Sequence, residues 1–596
     1  YNLPFCLWQG NSSGPERFAQ NIGEYLQGRR LQSSSYDIQM KGDQQCVQMC
    51  QVTLSKVQAE ELRWHIEHGY HNNWELDGLP AAAINTSGGR LIRKHFNGGF
   101  PIGFMFENVL NDPQAYVYNH VNIQIQYHRV KDADSGGFKY HVIQFAVEPL
   151  SVKHKFEVGD NGSMTAGHKV PSETCSGSIS REDILENQVV KNGETILYTY
   201  NVRWIESDVP WSSRWNIYLT EDHSVPDEVH WYQITNAVVL AIVLGSFVLS
   251  ILIRNLRQKK EEEIPWKLLR DDVFRPPRHQ SMLLCVFLGS GAQLGIAGLL
   301  LLSLCVLGIL GPLQSGSMVM GFVVLYALSG LVAGFVSAGL CSITDGKKAI
   351  NENSGSIYIR MTAFLVPGCA FGVFLLLHVL FWSMDSTGCT PILIILELLG
   401  LWLFVNVPLV HLGAHLSFKT IESMELSLPA HSSTILANPA ASTLSLPSQV
   451  GMLLCGVLPF YVSYVELFFT MTSLWMGQCY YTFGFALTIF AIMAVITAEL
   501  AVLLVYRQLN AGNHEWWWFS FFAGGSCSFF TLLYAALFYP RIEASLATTF
   551  IVYWAYMTMI GFGMFLVFGT IGFLASFGFV CKIYATLDRD TSVNHV

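Results

Sequence analysis

Apolar and polar positions are distributed unevenly along the chain. Up to residue 230 the apolar residues fall in short alternating runs, and beyond it they fall in nine long blocks. A helix needs about 20 mostly apolar residues to cross roughly 30 Å of hydrocarbon. Blocks at 233–253, 281–310, 317–343, 359–384, 391–416, 450–475, 481–506, 517–539 and 546–581 meet that requirement, and each predicts a transmembrane helix. The last has 36 residues, too many for one perpendicular crossing, and predicts a helix that tilts or runs on past the membrane.

The first 230 residues carry the shorter period. Tyr116 to His128 alternates, with Val117, Val121, Ile123 and Ile125 on one parity, and His141 to Val147 and Thr195 to Trp204 share its β-branched and aromatic content. Gly98-Gly99 and Asn192-Gly193 mark turns between such runs. Short strands at this spacing predict an antiparallel β-sandwich of jelly-roll type. A helix over 14–28 has only a poor amphipathic pattern. The expected fold class is therefore an α-helical polytopic membrane protein with nine transmembrane helices and an N-terminal luminal β-sandwich, jelly-roll-like domain. The head is expected at 1–230 and the helical domain at 231–596. The latter carries cytosolic loops at 254–280, 344–358 and 417–449 and a short cytosolic tail at 582–596.

Charge sets the orientation. With the head outside the cytosol, fifteen Lys and Arg residues fall in the cytosolic connections, against Arg541 alone on the other side. That is the asymmetry of the positive-inside rule, and an even number of spans destroys it. Three sequons, at Asn11, Asn85 and Asn161, all lie in the head. Cys6, Cys46, Cys50 and Cys175 form an even set there, as disulfides in an oxidising compartment require. Four cysteines allow three pairings, and the sequence does not choose among them. A head of this size must be translocated, so a removed signal peptide is expected before Tyr1. The net charge of −9 gives no reason to expect nucleic acid as a partner.

Candidate chemistry is sparse. HExxH, CxxC and Gly-rich phosphate-loop patterns do not occur, and no enzyme, catalytic residue or cofactor is expected. His65, His68 and His71, placed on a strand or loop, share no face and read as a polar, aromatic surface rather than a metal site. His411 and His415 lie one helical turn apart near a membrane boundary and read as headgroup-facing. Trp516, Trp517 and Trp518 read as an interfacial aromatic belt. Inside the spans stand Glu397, Glu466, Glu499 and Asn406. Such groups are costly in lipid and normally face protein or water. Two readings stay open for them: a cavity in which Glu466 and Glu499 meet a client helix, proton or cation, or neutral groups bonded to neighbouring helices. Gly569 and Gly572 in the ninth span either pack internally or line a groove for another protein's helix.

Ordered motifs along the chain are similar to those of one known family. They include Glu24-Tyr25-Leu26-Gln27-Gly28-Arg29-Arg30, Gly99-Phe100-Pro101-Ile102-Gly103 and His230-Trp231-Tyr232 in and after the head. Asp272-Val273-Phe274-Arg275-Pro276-Pro277, Gly289-Ser290-Gly291-Ala292-Gln293, His514-Glu515-Trp516-Trp517-Trp518 and Gly569-Thr570-Ile571-Gly572-Phe573 follow. The chain resembles the nonaspanins, the transmembrane nine superfamily, over essentially its whole length. The resemblance implies a luminal head, nine spans, residence in Golgi and endosomal membranes, and a part in sorting or surface delivery of other membrane proteins, glycine-rich spans among them. Membrane lipids, client membrane proteins and vesicle coat proteins are the partners it implies. Family tails commonly end in Lys, any residue, then Asp or Glu, a coat-retrieval signal. This chain ends Thr591-Ser592-Val593-Asn594-His595-Val596 and does not carry it. Two other functions compete: a secondary transporter or channel working through the intramembrane carboxylates, and an adhesion or scaffold protein acting through the head.

Overall fold

The computed structural model describes residues 3–6, 20–87, 90–95, 99–107, 113–131, 137–154, 179, 181, 184–211, 214, 227–257, 273–277, 280–311, 316–345, 354–384, 386, 388–424, 446–476, 482–542 and 546–593. The chain divides into two compact units. One comprises Tyr1–Gln20, Leu31–Val225 and Thr472–Tyr481, the other Asn21–Arg30, Pro226–Met471 and Thr482–Val596.

The first unit is built on strands. In chain order they are β1 (Gln44–Thr53), β2 (His71–Asn72), β3 (Glu75–Leu76), β4 (Leu79–Pro80), β5 (Ala82–Ser87) and β6 (Arg90–His95). They continue as β7 (Phe100–Pro101), β8 (Gly103–Glu107), β9 (Pro113–Val117), β10 (His120–Lys131), β11 (Phe138–Leu150) and β12 (Thr195–Glu206). Six make one sheet in the order β1-β12-β10-β11-β5-β6, and the others pair as the ribbons β2-β7, β3-β4 and β8-β9. The β10–β12 and β11–β5 pairs are parallel, which departs from an all-antiparallel arrangement. Alternation along β10 sends Val121, Ile123 and Ile125 into the core with Phe145, Val147, Tyr200 and Val202. The same alternation turns His120 and Asn122 to the opposite face.

A helix, α2 (Lys56–Glu67), covers part of this unit. Ser55 starts it with a capping box to Gln58, and its buried residues Ala59, Leu62 and Ile66 fall at helical spacing. His65 therefore lies on a helix and His68 is its C-cap, not on the strand or loop expected for them. Cys6 is joined to Cys50 with their Cα atoms 5.6 Å apart, and Cys46 is also disulfide-bonded. Asn11, Asn161 and Cys175 lie outside the described residues, while Asn85 sits on β5, paired with Arg93 of β6.

Among the described residues, nine helices are long and apolar enough to cross a membrane. They are Glu228–Ile251, Ser281–Val306, Ser317–Thr344, Gly355–Ser383, Ile392–Thr420, Gln449–Met476, Phe483–Asn510, Trp517–Ile542 and Ala547–Tyr584. Each falls on one of the expected blocks. The ninth continues as a single helix, Ala547–Val593, which resolves its excess length as continuation. The near end of the bundle is the end at which the first span begins. At the far end Trp516 and Trp517 are buried against Phe573, with Val273, Leu284 and Tyr584 in the same cluster. The Trp516 Nε1–H donates to the Val273 carbonyl at 2.9 Å. These two tryptophans are thus core, not an interfacial belt. The bond also explains why a Val-Phe-Arg-Pro-Pro loop and a Trp-rich helix start occur in the same chain.

Candidate functional site

The first span is the most lipid-exposed of the nine, with 6% of its apolar window buried. One side packs Ile234 and Ala237 against Val462, Ile489 and Ile496, and polar contacts run along the same side. At its beginning, His230 Nδ1 lies 2.6 Å from Glu466 Oε1 of the sixth span, with both residues buried. The imidazole lies between Phe469, at 4.8 Å, and Phe485, stacked at 4.8 Å. One turn on, Gln233 donates to the carbonyls of Tyr461 and Val462 at 2.9 and 3.0 Å. Further along, Gly245 faces Glu499 of the seventh span so closely that an added Cβ would stand 2.7 Å from Oε1. The other carboxylate oxygen, Glu499 Oε2, is buried with no hydrogen-bond partner among the described residues.

This geometry separates two carboxylates that the sequence suggested might share a chamber. Glu466 meets the first span at residue 230 and Glu499 meets it at residue 245. Fifteen residues at 1.5 Å each put the two contacts about 22 Å apart along the helix. Glu466 instead has a counterpart that the sequence hid, because His230 reads there as part of an aromatic run. A buried pair of this kind is a strong constraint. Removing one partner leaves an uncompensated polar group in a low-dielectric site.

A second polar centre lies where two spans are interrupted. The third is split into Ser317–Leu328 and Gly330–Asp345 at Ser329-Gly330, a small-residue pair of the sort that breaks helices. The fifth passes from Ile392–Leu401 through a π-helical turn, Trp402–Asn406, into Val407–Met424. A helix break frees backbone carbonyls that side chains must satisfy. Gln293 of the second span and Ser329 both donate to the Tyr326 carbonyl, at 2.8 and 2.9 Å, and Asn406 donates to Ala327 at 3.3 Å. Asn406 Oδ1 is buried with no donor among the described residues. Asn406, at the end of the π-helical turn of the fifth span, thus satisfies a carbonyl freed at the kink of the third, a junction the hydropathy pattern had concealed.

The segment 21–30 belongs to the helical unit. Asn21 caps the short helix α1 (Ile22–Leu26) by accepting from the Glu24 N–H at 2.9 Å. Gly23 lies against Gly316 at the start of the third span, where a Cβ on Gly23 would collide with the Gly316 carbonyl, and Gly316 itself has φ +70°. Arg30 crosses the Tyr25 ring at 5.0 Å and donates to the Cys389 carbonyl at 2.5 Å, just before the fifth span. Tyr25 and Arg30 of the Glu-Tyr-Leu-Gln-Gly-Arg-Arg motif thus join this segment to the start of the fifth span. A cavity of about 190 Å³ beside it is lined by Leu26, Gln27, His378, Phe381 and Tyr556.

Gly569 and Gly572 are not an open groove. Both are buried, and a Cβ on Gly569 would stand 2.8 Å from the Phe521 ring. At Gly572 it would stand 2.9 Å from Gly524 and 3.3 Å from Ala501. The seventh and eighth spans already fill that surface, so close packing within the bundle explains the glycines. Glu397 sits apart from every other intramembrane carboxylate, exposed on the fifth span above the π-helical turn. His65, His68 and His71 each bond a local carbonyl, of Glu61, Trp64 and Gly69, through Nδ1. His411 bonds the Val407 carbonyl in the same way.

In the first unit the parallel β10–β12 pair buries a polar spine. His120 Nδ1 lies 2.7 Å and His154 Nε2 3.1 Å from Thr199 Oγ1, while Asn201 joins His120 Nε2 at 3.1 Å and Asn122 Oδ1 at 2.7 Å. Burial pushes His120 down to about 4, partly offset by the Asn122 hydrogen bond and reinforced by His154. Burial alone pushes His154 down to about 4. Both imidazoles are therefore held neutral.

Comparison with known proteins agrees with this architecture. The family profile described as Endomembrane protein 70 matches residues 1–549. Transmembrane 9 superfamily member 10 of Arabidopsis thaliana is 31% identical over 99% of this chain and 91% of its own length. The corresponding figures are 30%, 99% and 91% for Transmembrane 9 superfamily member 4 of Homo sapiens, and 30%, 98% and 88% for human member 2. No solved structure matches the chain.

Proposed function

Because the chain belongs to the transmembrane 9 superfamily, we propose that it is a non-enzymatic protein of Golgi and endosomal membranes that assists the sorting or surface delivery of other membrane proteins. The observation that carries this reading is the joining of a β-sheet unit to a nine-helix unit in one chain. Such a chain offers one surface to folded ectodomains and another to membrane spans. The fifteen-to-one distribution of Lys and Arg supports a luminal head and a cytosolic C-terminus. The disulfides of Cys6, Cys50 and Cys46 fit an oxidising lumen. Depleting the protein and quantifying cell-surface membrane proteins tests the reading. A defined subset loses surface abundance and regains it on re-expression. An unchanged surface population rejects sorting.

Transport is the second reading, favoured by the interrupted third and fifth spans that meet at Asn406. π-helical turns inside helices occur frequently at functional sites. Purified protein in liposomes then catalyses an ion-dependent flux that Asn406→Leu abolishes. Tight vesicles with no flux above the empty control reject it.

A further inference from the structure

The fifth span presents a stripe left largely exposed among the described residues. Leu393, Glu397, Gly400 and Phe404 recur at helical spacing, and Leu393 and Phe404 are 65% and 80% exposed. Glu397 lies about 8 Å, five residues, inside the start of this helix. Its carboxylate is exposed and has no hydrogen-bond or ion-pair partner among the described residues. It borders a cavity of about 400 Å³ formed with Met320, Val323 and Val324 of the third span. Apart from Glu397 that lining is apolar, and Ile22 of α1 closes it at the near end. A Cβ on Gly400, one turn from Glu397, would meet nothing within 4 Å. Gly400 therefore leaves the surface beside Glu397 open, whereas Gly569 and Gly572 are closed by neighbouring spans.

We propose that this cleft between the third and fifth spans docks a partner transmembrane helix carrying a lysine or arginine, whose cationic group pairs with Glu397. The chemistry selects the occupant. A lone carboxylate in an apolar, lipid-facing cleft is stabilised by a cation or strong donor delivered from the same depth. Lysine and arginine reach such a depth on long apolar stems that also fill the cleft between Met320 and Val324. The cleft is too small for a whole helix, about 10 Å across, but takes one long side chain. Gly400 lets the partner's backbone approach while that side chain inserts. This inference deepens the sorting reading and rests on it, because it names what would distinguish a client span.

The test uses full-length protein in phosphatidylcholine vesicles and two leucine-rich transmembrane peptides. One carries a lysine about five residues inside its luminal end, and its twin has leucine there. Binding is read by energy transfer from labelled protein to labelled peptide. The lysine peptide binds roughly tenfold more tightly, as expected for an interhelical polar contact in a bilayer. E397Q brings the two peptides to near equality, and Gly400→Leu, which enters open space, weakens the lysine peptide while leaving thermal stability unchanged. Equal binding of both peptides to the wild type overturns the proposal. So does a lysine preference that persists in E397Q. Adding phosphatidylethanolamine separates the other source of an ammonium group: if it erases the lysine preference, the cleft is a lipid site and the proposal falls. Peptides that do not discriminate, in a protein still required for client surface levels, remove this cleft and leave the sorting reading intact.

Discussion

The buried spine of the sheet makes the first unit sensitive to acid, and the size of the effect follows from two side chains. His120 and His154 are buried and share the Thr199 hydroxyl. Each has its pKa held down at about 4 by burial, against 6.5 for an ordinary imidazole. Below pH 6.5 the unfolded chain takes up protons that the folded unit refuses. The stabilisation is therefore complete above 6.5 and is lost progressively as pH falls toward 4. A shift of this size costs about 2 kcal/mol per histidine by pH 5, and about 3 once pH reaches the folded value. The two losses are not independent, because a proton on His154 further disfavours one on His120.

The perturbation that isolates this effect is the double substitution His120→Gln and His154→Gln, which keeps polar groups on the spine but removes its titration. The measurement is amide exchange in β10 and β12 of the full-length protein in detergent, corrected for intrinsic rates, at pH 7.5 and pH 5. In the wild type the two histidines lower the opening free energy of these strands by about 4 kcal/mol over that interval, on top of what other groups contribute. In the double variant the fall is no more than the remaining carboxylates produce, about 1 kcal/mol. Equal slopes in the two proteins would show that the histidines are already protonated or solvated in the folded state, and the argument from burial would collapse.

Other expectations concern the helical unit and the sequons. Replacing His230 with Ala or Glu466 with Ala destabilises the bundle by about 3–5 kcal/mol, while the double replacement costs much less than the sum of the two. Thermal melting of the four proteins in detergent measures the coupling, and strict additivity would mean the pair contributes nothing as a pair. Gly316→Ala introduces a side chain at φ +70° against Glu24, which costs at least about 2 kcal/mol of the docking of segment 21–30. Protease cleavage near Arg29 and Arg30 should accelerate in that variant, and an unchanged rate counts against the docking. Treatment with an N-glycosidase shifts the mobility of protein from secretory cells, and the shift disappears when Asn11, Asn85 and Asn161 are all replaced by Gln. A protein with no shift would contradict a luminal head.

The sequence displayed the outline of this molecule and hid its joints. All nine spans are legible because hydropathy over some twenty residues is a bulk property, insensitive to what each side chain touches. The alternation of β10 is equally plain, since Val121, Ile123 and Ile125 must share a face. What the pattern could not give is who meets whom. His230 read as part of an aromatic run because its partner, Glu466, is 236 residues away. Trp516 read as belt because composition says nothing of the Val273 carbonyl that takes its N–H. The π-helical turn at Trp402–Asn406 leaves hydropathy unchanged, so the interrupted fifth span was invisible. The same limit applied to Gly569 and Gly572, whose small size signals close approach but not the identity of the approaching helix.

These joints follow one rule. Between helices in lipid there is no hydrophobic force to drive association, so packing of small residues and polar contacts must do it. The core of the bundle uses the first device, with Gly569 and Gly572 on the ninth span closed by Phe521 and Gly524 of the eighth. The first span uses both, since Ala237 and Gly245 lie close against the sixth and seventh spans while His230 and Gln233 form polar bonds to the sixth. Any movement of the first span relative to the bundle must break the His230–Glu466 contact as well as the packing of Ile234 and Ala237, so substitutions at that pair should loosen the first span more than the ninth.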